Sequence, residues 1–138
     1  MSIETFCSEV DTLHAAIGAL RSSIAEGAQP SEVTVCMADL ATNLADLFEH
    51  ENSRIYGRLD CLVSGIPITN SILQQATRLH DDWMAYLTDW PADCIAADRE
   101  TFAIETDALL RQIEQCSHRA SNDLYPIALA KGLIRLRA

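Results

Sequence analysis

Leu40, Leu44, Leu47, Glu51, Ile55 and Leu59 follow one another at three- and four-residue steps, the spacing of one helix face. At about 100° per residue, Glu51 falls near the centre of this apolar stripe. A carboxylate is almost never left unpaired there; it is protonated, hydrogen-bonded, ion-paired or bound to a metal. A chain carrying this stripe must fold so that other elements enclose Glu51 and give it a partner. No other feature of the sequence constrains the fold as strongly.

Three further helical stripes are available to do so. The first helix is expected from about Ser2 to Glu26, with Ile3, Phe6, Val10, Leu13, Ile17, Leu20 and Ile24 inward. Ser2 is placed to cap it and Gly27 to end it. After Ala28-Gln29-Pro30, Ser31 is expected to cap a second helix, with Glu32 and Asp39 near its start as the helix dipole favours. That helix is expected to reach about Val63 and to stop at Ser64-Gly65-Ile66-Pro67. A third begins near Thr69 or Asn70, carries Ile72, Leu73, Ala76, Leu79, Trp83, Leu87 and Trp90 inward, and breaks before Pro91. Residues 92–98 read as a turn or a short helix.

The fourth long helix runs from about Asp98, with Phe102, Thr106, Leu109, Leu110, Ile113, Ala120 and Leu124 on one side. Tyr125-Pro126 marks a kink or an end. The tail from Ile127 to Ala138, with Lys131, Arg135 and Arg137, reads as a helical extension against the acidic body. No β-alternation or repeat competes. Short connections between long helices favour antiparallel neighbours. The expected fold is all-α: an antiparallel up-down-up-down four-helix bundle with a C-terminal helical extension, one domain over residues 1–138.

Charge narrows the function. With 20 acidic against 10 basic residues the net charge is −10, a poor balance for gripping a phosphate backbone. No apolar run approaches the ~20 residues of a membrane span, and the acidic start lacks a signal peptide's pattern. The expectation is a cytoplasmic protein with neither nucleic-acid nor membrane partners, its oligomeric state open. Cys7, Cys36, Cys61, Cys94 and Cys116 form no C-x-x-C pair and read as small buried hydrophobes. Cys7 and Cys61 would lie near one bundle end, so a disulfide between them is conceivable. No nucleophile elbow or phosphate-cradling loop is present, so no enzyme is expected.

The four histidines differ in phase. His14 sits at the margin of the first apolar face and His80 within the third, whereas His50 and His118 point away from theirs. His14, Glu51 and His80 each stand about eleven or twelve residues from the same bundle end, about 17 Å up. Two imidazoles and a carboxylate at one level suit zinc, iron or manganese. A histidine at the edge of an apolar face is more often a hydrogen-bonded core residue, and Glu51 could simply accept from one of the two without metal.

The motifs V-D-T-L-H-A-A-I, L-F-E-H-E-N-S-R-I-Y-G-R-L, L-H-D-D-W-M-A-Y-L and C-S-H-R-A-S-N-D-L-Y-P resemble the histidine- and carboxylate-bearing segments of hemerythrin-like (HHE-type) cation-binding bundles. The resemblance covers most of the chain. It implies a non-haem iron-type site used in metal, oxygen or redox sensing, with His14, Glu51 and His80 as metal ligands. Aligned on Tyr56, Glu51 takes the family's bridging glutamate position, while Leu47 takes a histidine position and Cys116 and Ala120 take metal-side positions. A rival alignment pairs His118 with Asp123, and Cys116 could serve as a soft ligand. The family's di-iron site draws on more histidines than the four present, which implies a reduced site or none. The alternative is a metal-free bundle that keeps the fold and regulates a protein partner.

Overall fold

The computed structural model describes residues 2–58 and 67–136. Its elements are α1 (Ile3–Ala25), α2 (Pro30–Glu51) with a π-helical segment π1 (Asn52–Tyr56), α3 (Pro67–Asp89), α4 (Ala92–Ala97), α5 (Arg99–Arg119) with a second π-helical segment π2 (Ala120–Leu124), and α6 (Tyr125–Ala130). The chain is all-α; among the described residues the only β pairing is an isolated bridge between Ser2 and Arg135. α1 packs on α2 and α5, and α3 packs on α2 and α5, so the four long helices surround one core.

The anticipated stripes form that core. Phe6, Leu13, Ile17 and Leu20 of α1, Leu40, Leu47 and Ile55 of α2–π1, Ile72, Leu79 and Trp83 of α3, and Phe102, Leu110, Ile113 and Leu124 of α5–π2 are all buried. Burying each such side chain is worth roughly 1.5–3 kcal/mol. Leu59 lies outside the described residues.

Helix ends follow local chemistry. Ser2 caps α1 through its side chain on the Thr5 amide, and Asp98 does the same for α5 on Thr101. Gly27, at φ 68°, closes α1 in a Schellman turn: the Ala28 amide donates to the Ser23 carbonyl and the Gly27 amide to that of Ile24.

Four boundaries differ from the sequence reading. α2 is entered at Pro30, with Gln29 rather than Ser31 in the cap position, because proline's fixed φ and missing N–H suit the first helical residue. The same preference starts α3 at Pro67. The second helix leaves α-geometry at Asn52 instead of continuing unbroken toward Val63; residues 59–66 lie outside the described residues. The C-terminal extension is helical only to Ala130. There Gly132, at φ 70°, makes a second Schellman turn, with Leu133 N–H on the Ala128 carbonyl and Gly132 N–H on that of Leu129. The chain then turns back with Leu133 and Ile134 buried, and the Arg135 carbonyl accepts from the Ile3 amide at 2.6 Å. The tail is therefore a strap that ties Arg135 to the start of α1.

Candidate functional site: a buried carboxyl between two π-turns

Glu51 and Tyr125 meet at the heart of the bundle. Glu51 is the last residue before π1, and Tyr125 the first after π2. A π-turn adds one residue to the helical turn and re-aims the side chains beyond it; such turns recur at functional sites. In π1 the Gly57 amide reaches back to the Asn52 carbonyl. A Cβ at position 57 would stand 3.1 Å from that oxygen, so glycine permits the close approach. The two segments repeat one pattern: Leu47, Glu51 and Tyr56 on one side of the site, Cys116, Ala120 and Tyr125 on the other, each at four and then five residues. All six are buried.

Tyr125 donates a hydrogen bond to Glu51 Oε2 at 2.7 Å, and Glu51 is only 6% exposed. Around them lies a cavity of about 30 Å³ lined largely by apolar side chains, Leu13, Leu47, Phe48, Leu79, Ile113 and Ala120 among them, with Glu51, Cys116, Ser117 and Tyr125 as its polar groups. That volume holds about two waters by the usual ~10–15 Å³ criterion.

The surroundings set the carboxyl's charge state. Burial lifts Glu51 from 4.5 to about 7, opposed by the Tyr125 hydrogen bond and reinforced by the charge of Glu9. Burial, then the Glu51 charge, raises the Cys116 thiol to about 11 despite Arg119, so this cysteine is not a thiolate nucleophile at neutral pH. Tyr56 and Tyr125 are pushed far up by burial first and by Glu51 second, so both phenols keep their protons. Tyr56 Oη is buried without a hydrogen-bond partner, although a bonded hydroxyl is the usual condition for an interior tyrosine.

Of the three ligands suggested by sequence, the structure brings only Glu51 to the cavity. His14 Nε2 pairs with Ser117 Oγ at 3.1 Å, and its ring meets the exposed His118 edge-on at 5.6 Å. His80 stacks on Phe48 at 5.8 Å with Nδ1 3.6 Å from Asp81. Leu13 and Leu79, the residues just before these histidines, face the cavity in their place. His50 Nδ1 lies 2.5 Å from Glu9 Oε1 of α1. Among the described residues no three His, Cys, Asp or Glu side chains converge in a way that could hold a metal ion. The donor set at the cavity, one carboxyl already hydrogen-bonded to Tyr125 and one thiol, falls short of the three or four protein donors that hold zinc, iron or manganese.

Sequence reasoning missed Tyr125 as the partner of Glu51; the repeated spacing to Tyr56 and Tyr125 was its signal. The cysteines also differ from the buried reading: Cys116 alone of the four described is buried, Cys36 is half-buried, and Cys7 and Cys94 are exposed. The proposed partner of Cys7, Cys61, lies outside the described residues.

No described helix is long and apolar enough to cross a membrane. No family model, curated protein or solved structure matches this chain.

Proposed function

We propose that this chain is a hemerythrin-like, antiparallel up-down-up-down four-helix bundle spanning residues 1–138, and that it is a non-enzymatic binding module whose interior works without a resident metal. One observation carries this reading: the carboxyl at the centre of the bundle is satisfied by Tyr125 from within the chain. Leu47, Cys116 and Ala120, which the resemblance sets at metal-side positions, line the same cavity as apolar or weakly polar groups. Its work is then done at the surface, as a regulatory contact made by an acidic protein of net charge −10.

The second reading keeps iron, zinc or manganese on His14, Glu51 and His80, in a metal, oxygen or redox sensor. Its support is the buried, unpartnered hydroxyl of Tyr56 beside a carboxyl that is costly to bury. It requires both histidine rings to leave Ser117 and Phe48 and turn inward.

Elemental analysis of protein purified without a metal-affinity tag, with a visible spectrum, separates the two. The expected result is less than ~0.1 metal per chain, before and after reconstitution with iron(II) or zinc(II), because the site lacks three convergent donors. About one metal per chain, lost in His14→Ala and His80→Ala, would overturn the metal-free reading.

A further inference from the structure

A groove on the outer seam of α3 and α5 is built unlike the rest of this acidic molecule. It has a volume of about 460 Å³ and is lined by Ser71, Gln74, Gln75, Arg78 and Arg119, none of them acidic. The volume lies within the ~300–1,000 Å³ of small-molecule sites. Arg119, at the end of α5, is held in place by two hydrogen bonds to α3: one nitrogen donates to Gln75 Oε1 at 2.6 Å and another to Ser71 Oγ at 3.0 Å. Accepting through Oε1 leaves the Gln75 amide NH₂ as a donor. The guanidinium thus keeps further N–H groups for a ligand and is already fixed in orientation.

Arg78 lines the same groove, and among the described residues it has no hydrogen-bond or ion-pair partner. The carboxylates closest along the chain, Asp81 and Asp82, form no ion pair with Arg78. Asp81 and Asp82 line an adjoining groove that shares Gln74 and Arg78 with this one, and Asp81 is within ion-pair distance of His80. No ion pair among the described residues involves Arg78, Arg119 or Asp123. Two guanidiniums, a hydroxyl and two side-chain amides therefore line one groove with no carboxylate in its own lining. Arginine forks match the oxygens of a tetrahedral dianion in geometry and charge.

We propose that this groove binds a small phosphate monoester, with Arg119 as the preset fork, Arg78 as the second cation, and Ser71, Gln74 and Gln75 donating to the remaining oxygens. Arg119 immediately precedes π2, which delivers Tyr125 to Glu51, so the groove borders the interior site without sharing a residue with it.

The test is an amide NMR titration of the intact chain with inorganic phosphate, ionic strength held constant with chloride. Saturable shifts centred on Ser71, Gln75 and Arg119 are expected, and Arg78→Gln should weaken binding about tenfold or more, as losing a charged hydrogen-bonding group does. Arg78 has no partner to lose within the described residues, so the thermal midpoint without phosphate should be unchanged in this variant. Arg119→Lys, which keeps charge but loses the fork, should weaken binding as well. Shifts that fail to saturate up to tens of millimolar phosphate, or equal affinities in the parent and Arg78→Gln, would overturn the proposal.

Discussion

The interior has two unlike regions. Around Tyr86, the aromatic rings of Trp83, Trp90 and Phe102 lie 5.7–6.2 Å from its centroid, and the side-chain polar atoms of Trp83 and Tyr86 are matched. Trp83 Nε1 donates to the Met37 carbonyl at 3.3 Å; the Tyr86 hydroxyl lies 2.6 Å from Thr106 Oγ1 and 3.2 Å from the Phe102 carbonyl. The helices there are regular. Around Glu51 the helices leave α-geometry twice, a cavity remains, a carboxyl is buried with one hydrogen bond, and Tyr56 Oη has none. One region holds the bundle together. The other carries a polar cost that packing alone does not call for, and such departures from local consistency concentrate where a protein functions.

Substitutions in the two regions should therefore differ in sign as well as size. The largest effect is expected at Trp83, fully enclosed at 1% exposure: Trp83→Ala should destabilise by about 3–5 kcal/mol in a denaturant titration. Next comes Glu51→Gln, which keeps an acceptor for Tyr125 but carries no charge. A shift from 4.5 to about 7 corresponds to about 3 kcal/mol of cost once the group is ionised. The native state retains a proton that the unfolded chain has released, so stability should fall as pH rises from about 4.5 to about 7 and then level off. Glu51→Gln should remove that slope and be the more stable protein at pH 8; a parallel pair of pH–stability curves would contradict the contrast.

Smaller effects should come from the two tyrosines. Tyr86→Phe strands the fully buried Thr106 hydroxyl and should cost about 1–3 kcal/mol. Tyr56→Phe removes a hydroxyl that has no partner and should stabilise by up to about 1 kcal/mol. Thermal melts of the two variants side by side would show opposite shifts, and a loss of stability in both would mean that the regions do not differ as described.

Much of the first region was legible in the sequence, because its determinants are local or periodic. Phe102, Thr106 and Leu110 mark one face of α5, Asp98 stands at its start, and Gly27 ends a helix. The burial of Glu51 was legible for the same reason. Its surroundings were less so. A π-turn rests on backbone bonds to residues five positions back and leaves little trace in side-chain pattern, Gly57 being the exception. The histidines illustrate how narrow a phase argument is: Leu13 and Leu79 line the cavity, and the next residues, about 100° round the helix, do not. The non-helical tail was signalled by Gly132 after a short apolar helix, which an amphipathic reading of residues 127–138 passes over.

The central claim is that Glu51 is a metal-free carboxyl held by Tyr125 and protonated near neutrality. Its most direct test is a carbon-detected NMR titration of the Glu51 side chain, in the parent chain alone and with one equivalent of zinc(II). A midpoint near 7, the same in both samples, is the predicted result. A midpoint close to the ordinary 4.5, or one driven down when zinc is added, would contradict it.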